Sequence, residues 1–136
     1  VEERPDGVAL QLMDQDGRSM FPDGSKEPSE RTRLLIQKLA KPLRATPLRI
    51  SVVGHTAAGL TPSSPEYDAF GLSADRANVV RQILEKEGLP TSHIFMAAGK
   101  ADNEPLFPDD PTLAANRRVT ITLMRESPPL PPDLKP

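Results

Sequence analysis

Apolar and polar residues alternate in three segments of the chain, and two others carry apolar residues at helical spacing. Val8, Leu10 and Leu12 alternate with Ala9, Gln11 and Met13, which predicts a strand with one buried face. Asp14-Gln15-Asp16-Gly17 is a turn signal, and Ser19 to Pro22 reads as a short extended return. Leu35, Ile36, Leu39, Ala40 and Leu43 then predict an amphipathic helix. Ser25 or Ser29 caps it, Glu27 and Glu30 sit near its positive end, and Pro42 ends its regular part. Leu48, Ile50 and Val52 give a second strand that stops at Gly54.

Thr61 to Tyr67 holds two prolines and three Ser/Thr residues and reads as a loop. Ser73 is a good N-cap for a second helix that runs to about Glu87, with Leu72 and Ala77 as a weak staple. Gly88 supplies a left-handed stop and Pro90 prevents continuation. Ile94 to Ala98 is a third strand, and Lys100 to Pro111 is a charged, Pro-rich loop. Its Leu106 and Phe107 are expected to fold back on the core. One helical turn over Thr112 to Asn116 leads into a last strand, in which Val119, Ile121 and Leu123 alternate with Thr120, Thr122 and Met124. The order is β-α-β-α-β-(loop)-β. It predicts a two-layer α/β sandwich, with both helices on one face of a mixed sheet.

Residues 8–125 are thus one domain, after a polar lead-in over 1–7 and before a tail over 126–136. The tail, "ESPPLPPDLKP", reads as polyproline II. The chain has 136 residues, enough for one core, and with no Trp that core is aliphatic. A net charge of −2 gives no basic face for nucleic acid. No apolar run is long enough to cross a bilayer. The absence of Cys removes disulfides and thiolate chemistry. His55 and His93 are far apart, and the acids have no ligand spacing, so no metal or other cofactor is expected. Ser63 and Ser64 have no positioned base, and the chain reads as a non-enzyme.

One residue breaks the local rules. With Ser73 as cap, Arg76 falls in the first helical turn, where a cation opposes the dipole. At 100° per residue the stripe of Ala77, Val79, Val80, Ile83 and Leu84 centres roughly 30° from Arg76. The arginine therefore faces the sheet. Two roles are open: an internal ion pair with Asp75, Asp68 or Glu66, or a fork offered to an anionic ligand. In the second, the Gly54-His55-Thr56 turn forms the facing wall, with Gly54 admitting the ligand to the backbone.

The motifs "VVGHT", "LSADRANVVRQIL" and "NRRVTITL", in that order, resemble the OmpA-like peptidoglycan-binding domain. "LQLMDQDGRSMFPDGS" and "AAGKADNEPLFPDDP" make the chain similar to the MotB branch of that family, the periplasmic part of flagellar stator proteins. The resemblance spans Val8 to about Arg125. It implies a βαβαβ sandwich that holds the diaminopimelate of the peptidoglycan peptide stem without covalent change. It implies a homodimer, and a periplasmic domain of a single-pass inner-membrane protein. Such a protein carries a transmembrane helix outside the present sequence, through which it works with a MotA-type subunit.

The resemblance assigns Arg76 to a diaminopimelate carboxylate, with Leu72 and Ser73 at the start of its helix. Gly54, His55 and Thr56 match the turn after the second strand, while Asn116, Arg117 and Arg118 match the Asn-Arg-Arg before the last strand, which borders the site. The family has Asp where this chain has Ala57, so the ammonium of the ligand loses a partner. That costs about 1.5–3 kcal/mol, or about tenfold to hundredfold in affinity. Asp68 or Glu66 is the candidate replacement. Arg117 is expected to cap a loop or support the site, and Arg118 to be a plain surface charge.

Overall fold

The computed structural model describes residues 2–4, 7–14, 20–21, 26–46, 48–57 and 68–124. Within them the strands are β1 (Glu2–Arg4), β2 (Gly7–Met13), β3 (Arg49–His55), β4 (Ile94–Gly99) and β5 (Arg118–Met124). The helices are α1 (Glu30–Ala45) and α2 (Ala69–Lys86), with short 3-10 turns at Thr91–His93 and Ala114–Asn116. The sheet order is β1-β2-β5-β3-β4. β3 and β4 run parallel across the α2 crossover, and every other pair is antiparallel. The two-layer mixed sandwich expected from the alternation is what forms.

Register explains the alternation. Leu10 faces Ile121, Leu12 faces Val119, and Val52 lies opposite Ile121 on the other side of β5. These side chains share one sheet face and form a single core with Ile36, Ala40 and Leu43 of α1 and Ala77, Val80, Ile83 and Leu84 of α2. β1 is an addition that the polar lead-in did not announce. It forms one edge of the sheet, beside β2.

Helix boundaries differ from the sequence reading in two places. Ser29 is the α1 cap, its hydroxyl accepting from the Thr32 amide, but Pro42 lies inside the helix, which continues to Ala45. Tertiary contacts hold that last turn: Leu43 is buried, and Arg44 Nη1 donates to the Glu87 carbonyl at 2.9 Å. α2 begins at Ala69, capped by Asp68, whose Oδ1 accepts from the Gly71 amide at 2.8 Å. Ser73 is therefore not a cap, and Arg76 lies beyond the first turn, outside the reach of the dipole penalty. The α2 stop is as read. Gly88 has φ +102°, and the Gly88 and Leu89 amides bond Glu85 and Leu84 carbonyls in a Schellman motif.

Two glycines set how closely α2 sits on the sheet. A Cβ at Gly54 would lie 2.1 Å from the Ser73 carbonyl oxygen, and one at Gly99 2.3 Å from the Ala74 amide nitrogen. Backbone cannot yield cheaply at either contact. Gly54→Ala is expected to lower stability by about 3 kcal/mol or more, measured by urea unfolding. A loss under about 1 kcal/mol would mean that the helix can slide off the sheet.

Candidate functional site

Arg76 is 4% exposed and lies over the Phe21 ring, its guanidinium carbon 5.0 Å from the ring centre. That is cation–π distance. The small cavity beside it is lined by Leu12, Met20 and Phe21 on one side and His55, Arg117 and Arg118 on the other. Among the described residues of the lining Asp14 is the one carboxylate, beside the guanidinium groups of Arg76, Arg117 and Arg118. The cavity measures about 10 Å³, room for no more than one water. It is a tight pocket at one end of the sheet.

A buried carboxylate builds its wall. Asp14 is 4% exposed; its Oδ2 accepts from Arg117 Nε at 2.8 Å and its Oδ1 from the Met20 amide at 2.7 Å. The Asp14 amide in turn donates to the Arg117 carbonyl at 3.0 Å. The Met20 carbonyl accepts from the Ser29 amide at 2.8 Å, tying the segment to the cap of α1. Asp14 thereby fixes Met20 and Phe21, and Phe21 fixes the plane of Arg76. Of the two roles expected for Arg117, this is the supporting one.

The other predicted residues divide between site and scaffold. His55, at the end of β3, is 5% exposed and lies opposite Arg118 in the β3–β5 register. Thr56 is 1% exposed; its amide donates to the Ala101 carbonyl at 2.9 Å, and its hydroxyl has no hydrogen-bond partner among the described residues. Gly54 admits the α2 backbone, so the space expected for a ligand there is filled by the helix. Leu72 is buried, and Ser73 Oγ donates to the Phe70 carbonyl while accepting from the Ala101 amide. This seats Ala101, at φ +51°, where its carbonyl can hold Thr56. Asn116 is spent on the loop before β5: Oδ1 accepts from the Phe107 amide at 2.8 Å, and Nδ2 donates to the Phe107 and Asp110 carbonyls.

Two expectations change. Arg118 is no surface charge: it is 8% exposed, and its Nη2 donates to the Glu104 carbonyl at 2.9 Å. Phe107 does not fold back on the core but is 44% exposed. Asp68 caps α2 through Oδ1. Glu66, Ser25 and the Thr61 to Tyr67 loop lie outside the described residues, as does the tail after Met124. On the far sheet face, a cleft of about 250 Å³ shares His55 and Arg118 with the small pocket and adds Lys100 and Glu104. The Lys100 hydrogen bond, at 2.8 Å, holds the Glu104 carboxyl below the usual carboxylate range.

Asp14 and Phe21 were missed as residues of the pocket lining. Asp14 sits in a run that reads as a turn, and nothing local tells a turn aspartate from a buried one. Phe21 offered a faint signal, being one of only four Phe in the chain and the one nearest a predicted turn.

Fold and pocket define a two-layer α/β domain with a buried arginine, Arg76, at the sheet end and an Asp14–Arg117 pair in the same lining. The chain belongs to the OmpA family, whose sequence profile matches residues 20–118. It is 32% identical over 122 residues to motility protein B of Escherichia coli K12, covering 89% of this chain and 40% of that protein. The chain thus spans well under half the length of that relative. Its fold is similar to the periplasmic domain of Helicobacter pylori MotB, with TM-score 0.77 and 23% identity over 93% of this chain and 81% of that one. It is also similar to the cell wall anchor of the Pseudomonas aeruginosa T6SS, with TM-score 0.75 and 24% identity over 92% and 86% of the two chains.

The brace makes a direct prediction. Asp14→Ala leaves Arg117 and the Met20 amide without their acceptor and is expected to cost about 3 kcal/mol in urea unfolding. Asp14→Asn keeps one acceptor for Met20 and should cost less. Equal losses would mean that the charge of Asp14 plays no part.

Proposed function

We propose that this domain binds peptidoglycan non-covalently and anchors a flagellar stator unit to the cell wall. The observation that carries the reading is Arg76: a buried guanidinium stacked on Phe21, with Arg117 and Arg118 in the same described lining. An anion is the complement of such a site, and a planar carboxylate matches the fork of an arginine. Family membership and the named relatives make the wall peptide the favoured anion, with the diaminopimelate carboxylate as the group that Arg76 takes. Thr56, whose buried hydroxyl has no partner among the described residues, supplies a further hydrogen bond in this reading. The domain does no chemistry on the wall in this reading. It works in the periplasm as part of a longer inner-membrane protein, whose remainder engages a MotA-type subunit and pairs two copies.

Ala57 and the tightness of the pocket favour a second reading, a dimerisation or regulatory module whose wall site has weakened. Co-sedimentation with diaminopimelate-type sacculi separates the two. Wild type is expected to pellet, and Arg76→Ala to bind about tenfold to hundredfold more weakly. Ala57→Asp is expected to strengthen binding by a similar factor, by restoring a partner for the ligand ammonium. Thermal melts of each variant separate lost binding from lost fold. Folded Arg76→Ala pelleting as well as wild type would end the proposal. If only Ala57→Asp pellets, the second reading takes its place.

A further inference from the structure

Two surface features away from Arg76 have opposite and matching chemistry. One is the loop between β4 and β5. Phe107 is 44% exposed there, followed by Pro108, Asp109 and Asp110. The loop is rigid at this point. Asn116 makes three hydrogen bonds to the backbone of Phe107 and Asp110, and the Asp110 amide closes a turn on the Phe107 carbonyl at 3.1 Å. Neither Asp109 nor Asp110 forms a salt bridge among the described residues. The result is a fixed knuckle with an aromatic tip and an acidic flank.

The other is a groove of about 560 Å³ between α1 and the end of β2. Its apolar floor includes Met13, Met20, Leu34 and Leu35. Leu34 is 48% exposed and Leu35 43%, although the spacing of Leu35 predicted a core position. Arg31 and Lys38 stand on the same lining, seven positions apart and so on one side of the helix. Neither forms a salt bridge among the described residues. The groove is therefore apolar with a basic rim, where the knuckle is apolar with an acidic rim.

We propose that the Phe107 knuckle of one copy docks in the α1–β2 groove of a second copy. Phe107 lies against Leu34 and Leu35, while Asp109 and Asp110 face Arg31 and Lys38. Apolar burial supplies the attraction and the charges set the orientation. The Asn116 hydrogen bonds hold the knuckle in shape beforehand, which lowers the ordering cost of docking. Because the two patches differ, each copy retains a knuckle and a groove. The contact either closes reciprocally in a pair or continues from copy to copy. It is independent of the wall-binding reading, since the groove shares only Leu12 and Met20 with the Arg76 pocket.

Sedimentation equilibrium across a concentration series at low salt tests it. Wild type is expected to self-associate, and more weakly as salt rises. Phe107→Ala, and separately the double variant Leu34→Glu with Leu35→Glu, are expected to weaken association by about tenfold or more. All three side chains are exposed, and thermal melts verify that the variants fold. The deciding arm mixes the two variants, one of them labelled. One contributes an intact groove and the other an intact knuckle, so the mixture should form a 1:1 complex that neither forms by itself. Lys38→Glu with Asp109→Lys provides the same complementation through charge. A wild type that stays monomeric at every concentration overturns the proposal. So does association that neither variant weakens, which would place the contact elsewhere or leave the groove to another protein. Failure of the folded variants to complement overturns it as well.

Discussion

The seat of α2 on the ends of β3 and β4 is the constraint from which the rest of the structure follows. Helix and sheet backbones approach at Gly54 and Gly99 more closely than any side chain would allow. Ser73 Oγ reaches from the helix to the Ala101 amide, and Ala101 holds Thr56 through its carbonyl. One helical turn from Ser73 to Arg76 then brings the guanidinium to the sheet end, over Phe21. If the helix rode higher on the sheet, the Ala101 strap would not reach and Arg76 would lie in solvent. Packing thus decides the position of the residue whose chemistry matters most.

A second strand of support comes from the opposite side. Asp14 is a buried acid in a region of three arginines, and it is engaged by Arg117 and the Met20 amide. Breaking a buried pair is costly, because the remaining charge stays in a medium that solvates it poorly. The ring of Phe21 adds a contact to the Arg76 guanidinium worth about 0.5–2 kcal/mol. The wall-peptide proposal rests on the arginines of the described lining, Arg76, Arg117 and Arg118, as well as on kinship.

Much of the architecture was legible from periodicity, because burial on one face writes itself into every second strand residue. The core positions Leu10, Leu12, Ile50, Val52, Val119 and Ile121 could be named before any coordinates. Gly88 stopped α2 as its left-handed φ requires. The start of α2 was misplaced because Ser73 looks like a cap, and only the Ala101 strand end shows why a serine is needed inside the helix. Pro42 misled for a similar reason: the core contact of Leu43 outweighs one lost helical hydrogen bond. The burial of Arg76 was legible in the helical wheel, although its first-turn placement was not correct. The burial of Asp14 and Arg118 was not, since it depends on partners 103 and 14 residues away in sequence.

The central claim is that the Arg76 pocket, closed to about 10 Å³ in the free domain, opens to receive a carboxylate of the wall peptide. NMR titration with a soluble tripeptide ending in diaminopimelate tests it most directly, following the Arg76 side-chain Nε–H signal. The account predicts a shift of that signal that saturates together with those of the Thr56 and Met20 amides. It also predicts that the same peptide lacking the free carboxylate leaves all three unmoved. A saturable response elsewhere on the domain, with Arg76 undisturbed, would contradict it.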